Sequence, residues 1–279
     1  MVMNSSAETI ISVTGLCYRA PGSWFSRLFR SDFTLKNISF SLNDGESLAI
    51  IGEEGSGKTE LIYSIAGLIR PTKGTILYSG QTYESNRSIR SQNFRMIFQD
   101  EETALNRKLK VRDILQIPLL ISTDMPYRER MERIADTLNL VDLPESIAGC
   151  YPAELSYGQV KRISFARALI LNPKVVLANK SISSFDPNLR AHICNMMLKL
   201  QKERKISTII TTSDLDLARN ISDRLLVLDK GEVVEFGDTK KILNNPQCEQ
   251  TRRLLLNYNN EYRYKCDRNG AMAKAKTQG

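Results

Sequence analysis

Apolar positions along this chain follow two rhythms. Short runs that are continuous or alternate by two read as strands, and longer stretches with apolar residues three and four apart read as helices. Thr9 to Val13 predicts a first strand, and Tyr18 follows in a Gly-Leu-Cys-Tyr segment. Phe33 to Leu42 alternates through Phe33, Leu35, Ile38, Phe40 and Leu42. That is the pattern of an edge or hairpin strand, with Asn43-Asp44-Gly45 as its turn. Leu48 to Ile51 is a continuous apolar run suited to a buried strand, and it breaks at Gly52 into a loop. Beyond the loop, Leu61, Ile62, Ile65, Ala66 and Ile69 share one helical face.

The second half continues the alternation. Gly74 to Tyr78 opens a hairpin that turns near Gly80, and Phe94 to Gln99 predicts a buried strand ending in a polar residue. From about residue 101 to 157 the period is helical, as in Val111 to Leu120 and Tyr127 to Leu140, which predicts a helical insertion. Helices are expected over Tyr157 to Leu171 and Pro187 to Lys202, and strands over Lys174 to Ala178, Ser207 to Thr211 and Arg224 to Leu228. Gly231 to Gly237 reads as a short hairpin. Strands alternating with helices imply an α/β fold built on a mostly parallel sheet. No internal repeat is visible.

The loop between the Leu48 strand and the Leu61 helix carries the most specific chemistry. It reads Gly52-Glu53-Glu54-Gly55-Ser56-Gly57-Lys58-Thr59, which fills G-x-x-x-x-G-K-[ST] in the strand-loop-helix setting the motif requires. Glycines let successive backbone N–H groups turn inward as a concave anion site, and the following helix N-terminus adds partial positive charge. Lys58 would reach the β and γ phosphates of a nucleotide, and the Thr59 hydroxyl would take one position on Mg²⁺. Nucleotide binding is the function these residues imply.

Composition narrows the setting. At 279 residues and 42% hydrophobic side chains the chain can bury a full α/β core. No apolar run reaches the roughly 18 residues of a membrane span, and no signal segment opens the chain, so a cytosolic location is expected. The five cysteines, Cys17, Cys150, Cys194, Cys248 and Cys266, are scattered and lack a C-x-x-C pair. That argues against a disulfide framework or zinc site and for reduced thiols. The net charge of +8 is concentrated at Arg19, Arg27 and Arg30 and in a basic tail over 259–279 that carries Arg263, Lys265, Arg268, Lys274 and Lys276. A flexible solvated tail and attraction to an anionic membrane surface both fit this pattern. No basic-aromatic motif of a nucleic-acid module is present.

The order of motifs resembles the ATP-binding subunits of ABC transporters over residues 10 to 258. The Lys58 loop comes first, then Gln99 closing a strand, then Leu155-Ser156-Tyr157-Gly158-Gln159 opening a helix, then Ser183-x-x-Asp186. FRMIFQD from Phe94 to Asp100, with Leu105 and Asn106 after it, is similar to the branch serving oligopeptide and dipeptide importers. The resemblance implies a P-loop NTPase with a RecA-like core, an antiparallel β-subdomain and a helical subdomain. It implies ATP and Mg²⁺ as cofactors, with Thr59 and Gln99 near the metal and Gln99 coupling metal and water. It also implies a dimer in which Ser156, Gly158 and Gln159 face the partner's γ-phosphate, Asp186 lies in the segment between the motifs, and Tyr18 stacks on adenine. A glycine usual in the signature is replaced here by Tyr157. The expected partners are a second ATP-binding subunit, two membrane permease subunits and a periplasmic peptide-binding protein. The expected place is the cytoplasmic face of the inner membrane.

Three departures bear on mechanism. The family's buried strand ends in Asp-Glu, whereas here it ends in Asn179-Lys180. An amide carries no charge, and an ammonium has no lone pair with which to take a proton from water. The family's switch histidine is replaced by Asp214, and the one histidine, His192, falls in a separate helix and reads as a surface residue. The site is therefore expected to bind ATP and to hydrolyse it poorly. Lys180 and Asp214, reversed in sign together, are expected to pair as ions. Two roles stay open: a subunit completing a hydrolytic partner's site for peptide uptake, or a non-catalytic nucleotide-binding scaffold or decayed copy.

Overall fold

The computed structural model describes residues 8–20, 34–82, 93–98, 105–180, 182 and 185–258. In chain order the strands are β1 (Thr9–Tyr18), β2 (Leu35–Asn43), β3 (Ser47–Ile51), β4 (Lys73–Tyr78), β5 (Gln81–Thr82), β6 (Phe94–Ile97), β7 (Val175–Asn179), β8 (Ser207–Thr211), β9 (Arg224–Asp229) and β10 (Glu232–Asp238). The helices are α1 (Lys58–Ala66), α2 (Val111–Ser122), α3 (Tyr127–Leu140), α4 (Tyr157–Leu169), α5 (Pro187–Arg204), α6 (Leu215–Ile221) and α7 (Thr239–Asn244). Residues 249–258 are helical as well.

Two sheets divide the strands. One is antiparallel in the order β2-β1-β4-β5. The other runs β10-β9-β3-β8-β7-β6, parallel except for β10, which pairs antiparallel with β9. Strands β3, β7 and β8 are buried at all five positions, as strands covered on both faces must be, which explains their unbroken apolar sequence. Alternate side chains serve different cores. Leu48 and Ile50, with Val175 and Leu177, pack with α1 and the antiparallel sheet. Ala49 and Ile51, with Val176 and Ala178, pack with α2, α4 and α5 on the other face.

One polar network fixes the register at the N-terminal end of the parallel sheet. The Asp223 carboxylate accepts from the Ser47 backbone N–H at 2.9 Å and from its hydroxyl at 2.6 Å, and Gln201 donates to it at 2.5 Å. The opposite end, where β3, β8 and β7 run out, is thereby set as one row: Ile50 stands beside Thr211, and Thr211 beside Asn179. The loops that follow these strands share one edge, where ligands gather in open α/β sheets.

Several expectations need correction. β1 does not stop at Val13 but continues to Tyr18, because β2 and β4 pair with it on both sides. Asn43-Asp44-Gly45 is a turn, yet it passes the chain from one sheet to the other and makes no hairpin. Phe33, at the predicted start of β2, lies outside the described residues. Helix α1 ends at Ala66, closed by the Gly67 N–H on the carbonyls of Ser64 and Tyr63, so Ile69 falls beyond it. The last hairpin joins β9 to β10 around Lys230-Gly231 and is not contained within 231–237. β6 is half-buried as the sheet edge, and Gln99 lies outside the described residues. His192 is no plain surface group: it is half-buried in α5, with Nε2 2.9 Å from the Asp142 carboxylate beyond α3.

Candidate functional site

Close backbone approach shapes both ends of the loop after β3. Gly52 has φ 154° and Gly57 φ 101°, values that disfavour any side chain, and a Cβ on Gly52 would sit 2.1 Å from the Leu228 carbonyl oxygen. Gly57 is also the residue that caps α1. Lys58, the first residue of α1, is buried and folds back over the loop. Its Nζ donates to the carbonyls of Gly52 and Glu53, both at 2.7 Å, and to the Ser56 hydroxyl at 3.2 Å. The ammonium thus lies inside the cradle, occupying acceptors that an anion would relieve. Burial first, and then the neighbouring Lys180 ammonium, push Lys58 down from 10.5 to about 8, with Glu54, Glu60 and Glu53 acting the other way. Glu53, Glu54 and Gly55 are exposed, Ser56 is buried, and Thr59 is half-buried one residue into the helix.

The end of β7 lies two strands away on the same edge. Asn179 is buried, and its Oδ1 accepts from the Thr211 hydroxyl at 2.7 Å. Thr211 in turn accepts the Lys180 backbone N–H at 3.1 Å and holds Lys180 in a left-handed turn, φ 49°. Thr212 accepts the Asp214 N–H at 2.9 Å. These hydroxyls organise the strand ends, a role that the strand's apolar pattern does not signal.

The expected pairing of Lys180 with Asp214 is not formed. Asp214 caps α6 by accepting the Leu217 N–H at 2.9 Å, and its other oxygen takes Arg190 Nη1 at 2.5 Å. Tyr258, from the last helical turn, donates to Asp214 at 3.0 Å and to Asp216 at 3.3 Å. Burial and then the Asp214 charge push the Tyr258 phenol up. The physical reason is supply: an arginine and a tyrosine already satisfy the carboxylate. Neither Arg190 nor Tyr258 stood out in the sequence.

Two further expected segments are built as helix starts. Ser156 caps α4, accepting the Gln159 N–H at 3.3 Å while Gln159 Oε1 accepts the Ser156 N–H at 2.9 Å, a reciprocal capping box. Ser156 and Tyr157 are exposed, and Tyr157 covers the Lys161 ammonium at 5.2 Å from its ring centroid. Beside Gly158 a Cβ would meet only Leu189 at 3.9 Å, so the fold tolerates a side chain there. Asp186 caps α5 through the N–H groups of Asn188 and Leu189 at 3.1 and 3.0 Å. Tyr18 ends β1 and packs at the margin of the antiparallel core. Gln99 and Ser183 lie outside the described residues.

A family profile described as ABC transporter matches residues 35–180, from β2 through the Lys58 loop to the end of β7. The chain belongs to the ABC transporter family. It is 40% identical over 254 residues to the peptide transport system ATP-binding protein SapF of Escherichia coli O6:H1, covering 90% of this chain and 94% of that one. The same figures hold for the putrescine export system ATP-binding protein SapF of Escherichia coli K12. The oligopeptide transport ATP-binding protein AppF of Bacillus subtilis is 37% identical, with 90% of this chain and 78% of AppF covered. Among solved structures, cbiO1 from Clostridium perfringens, part of the ABC transporter complex cbiONQ, superposes with TM-score 0.75 at 25% identity over 85% of this chain and 92% of that one. A dimeric bacterial ABC transporter cassette does so with TM-score 0.71 at 25% identity, over 82% and 99%. The P-loop α/β fold read from the motifs is that of these ABC cassettes.

Membership in the ABC transporter family brings with it the expectation of Mg²⁺, and the donors can be tested for fit. Thr59 offers one neutral hydroxyl. Asn179 offers an uncharged oxygen already engaged by Thr211, and the next residue is an ammonium. Hard divalent cations are held by carboxylates and other free oxygens, and a fixed cation nearby opposes them. Among the described residues no group of three or more His, Cys, Asp or Glu converges that could hold a metal. This donor set does not fit a magnesium shell of ordinary charge.

Proposed function

We propose that the chain is an ATP-binding subunit of a peptide transporter, holding ATP uncleaved at Gly52, Glu53, Glu54, Gly55, Ser56, Gly57, Lys58 and Thr59, while a second, hydrolytic subunit cleaves the ATP in its own loop. The observation that carries this reading is Lys180 directly after Asn179 on the sheet edge that also bears the Lys58 loop, at the place where the family resemblance puts a water-activating carboxylate. A cation there can neutralise phosphate charge but cannot accept the proton of an attacking water. In the assembled dimer Ser156, Gly158 and Gln159 present their helix start to the partner's γ-phosphate, where the free N–H groups and dipole of α4 stabilise negative charge. Asp186 lies in the connecting segment, and Tyr18 stacks on adenine.

The machine then comprises this chain, a second ATP-binding subunit, two membrane permease subunits and a periplasmic peptide-binding protein, docked at the cytoplasmic face of the inner membrane. No helix among the described residues is long and apolar enough to cross a membrane. Support for peptide cargo comes from the peptide transport SapF and the oligopeptide transport AppF. The equally similar protein named for putrescine export favours a second reading, in which the cargo is a polyamine moving outward.

Single-turnover ATP cleavage by the assembled complex tests the asymmetric role. Ser156→Arg in this chain is expected to abolish cleavage at the partner's site, because a bulky cation would fill the γ-phosphate position. Cleavage that continues unchanged would reduce this chain to a scaffold.

A further inference from the structure

Resting on the ATP-binding reading, we infer that this site takes nucleoside triphosphate without a divalent metal, the Lys180 ammonium standing in for the charge of the ion. Asn179, Thr211 and Ile50 form one row across β7, β8 and β3, so the residue after Asn179 and the loop after β3 emerge on the same edge of the sheet. Lys180 is turned there by its left-handed backbone, pinned through Thr211 to the carboxamide of Asn179. Its charge lowers the pKa of Lys58, and among the described residues it forms no ion pair, Asp214 being held by Arg190 and Tyr258.

Two ammonium groups brought to one corner, opposed only by Glu53, Glu54 and Glu60 around Lys58, are less favourable than the same pair joined by an anion. A triphosphate supplies that anion. Against the two carboxylates of the family pattern, an amide and an ammonium make this corner more positive by about three charges, more than the two that a divalent ion would bring. The loop's own carboxylates, Glu53 and Glu54, are exposed and leave the interior of the cradle cationic. The same arrangement that disfavours a divalent metal therefore prepares the site for a metal-free anion. An ammonium also has no lone pair with which to take a proton from water, so binding and inertness have one origin.

The experiment is equilibrium dialysis of radiolabelled ATP against the full chain, in excess EDTA and separately in excess Mg²⁺. The Kd in EDTA is expected to lie within about threefold of that in Mg²⁺, whereas a metal-dependent site would weaken by about tenfold or more in EDTA. Lys180→Glu is expected to lose affinity by about tenfold in EDTA and to recover it with Mg²⁺, since the carboxylate now opposes phosphate and attracts metal. Wild-type binding that collapses in EDTA overturns the inference while leaving the ATP reading intact, and no binding in either condition overturns both. A Lys180→Glu variant indifferent to metal would also overturn it, and the wild-type comparison decides the matter if that variant does not fold.

Discussion

Asp214 stands 2.5 Å from the Arg190 guanidinium, and that pair, not one with Lys180, settles the charge at the end of β8. The same carboxylate caps α6 and receives the Tyr258 hydroxyl, so three elements converge on one side chain. Removing either partner strands a mostly buried group. Arg190→Ala is expected to cost about 1–3 kcal/mol of stability, read from urea unfolding, with Tyr258→Phe costing about 1 kcal/mol. Asp214→His should destabilise as well, because an imidazole cannot both cap α6 and pair with arginine. Stability unchanged in Arg190→Ala would mean the pair is ornamental.

Lys58 makes the stability of the nucleotide-free chain depend on pH in a defined direction. Its ammonium titrates near 8 when folded and near 10.5 when unfolded, so the unfolded chain binds more protons in between. Stability therefore rises as pH increases through that window, and the unfavourable burial is fully present below pH 8. Urea midpoints of the wild type measured from pH 7.5 to 10.5, relative to Lys58→Met, should increase. A flat or falling difference would show that Lys58 is not held as described.

The glycines of the loop should separate cleanly. Gly52→Ala drives a Cβ to 2.1 Å from the Leu228 carbonyl, and the chain should lose about 3 kcal/mol and its nucleotide binding. At Gly55 a Cβ meets nothing within 4 Å, so only the strain of φ 78° remains. That substitution should cost about 1 kcal/mol and leave ATP affinity nearly intact, as checked by thermal melts and dialysis. Equal damage at both positions would contradict the assigned loop geometry.

Much of this was legible because local pattern and tertiary role agree. The fully buried strands β3, β7 and β8 are unbroken apolar runs, α3 follows Pro126, and the Lys58 loop sits where strand gives way to helix. Failure came where pairing or long-range contact decides. Thr14 and Gly15 interrupt the alternation of β1, yet two neighbouring strands carry it on to Tyr18. Helices α6 and α7 are short and were not predicted, although Asp214 and Asp238 cap them. Arg190 and Tyr258 reach Asp214 from 24 and 44 residues away, distances at which sequence spacing carries no signal. The charges of Lys180 and Asp214 were visible in the sequence, but the partners of Asp214 were not.

The central claim is that nucleotide rests at this site uncleaved because an ammonium occupies the place of a base. It is tested most directly by following the γ-phosphate of ATP bound to the purified full chain, wild type against the double variant Asn179→Asp with Lys180→Glu. The wild type is expected to retain intact ATP, and the double variant, regaining a proton acceptor in the presence of Mg²⁺, to cleave it about 100-fold faster. Wild-type turnover near 1 s⁻¹, roughly an ordinary enzyme pace, that disappears in Lys58→Ala would contradict the account.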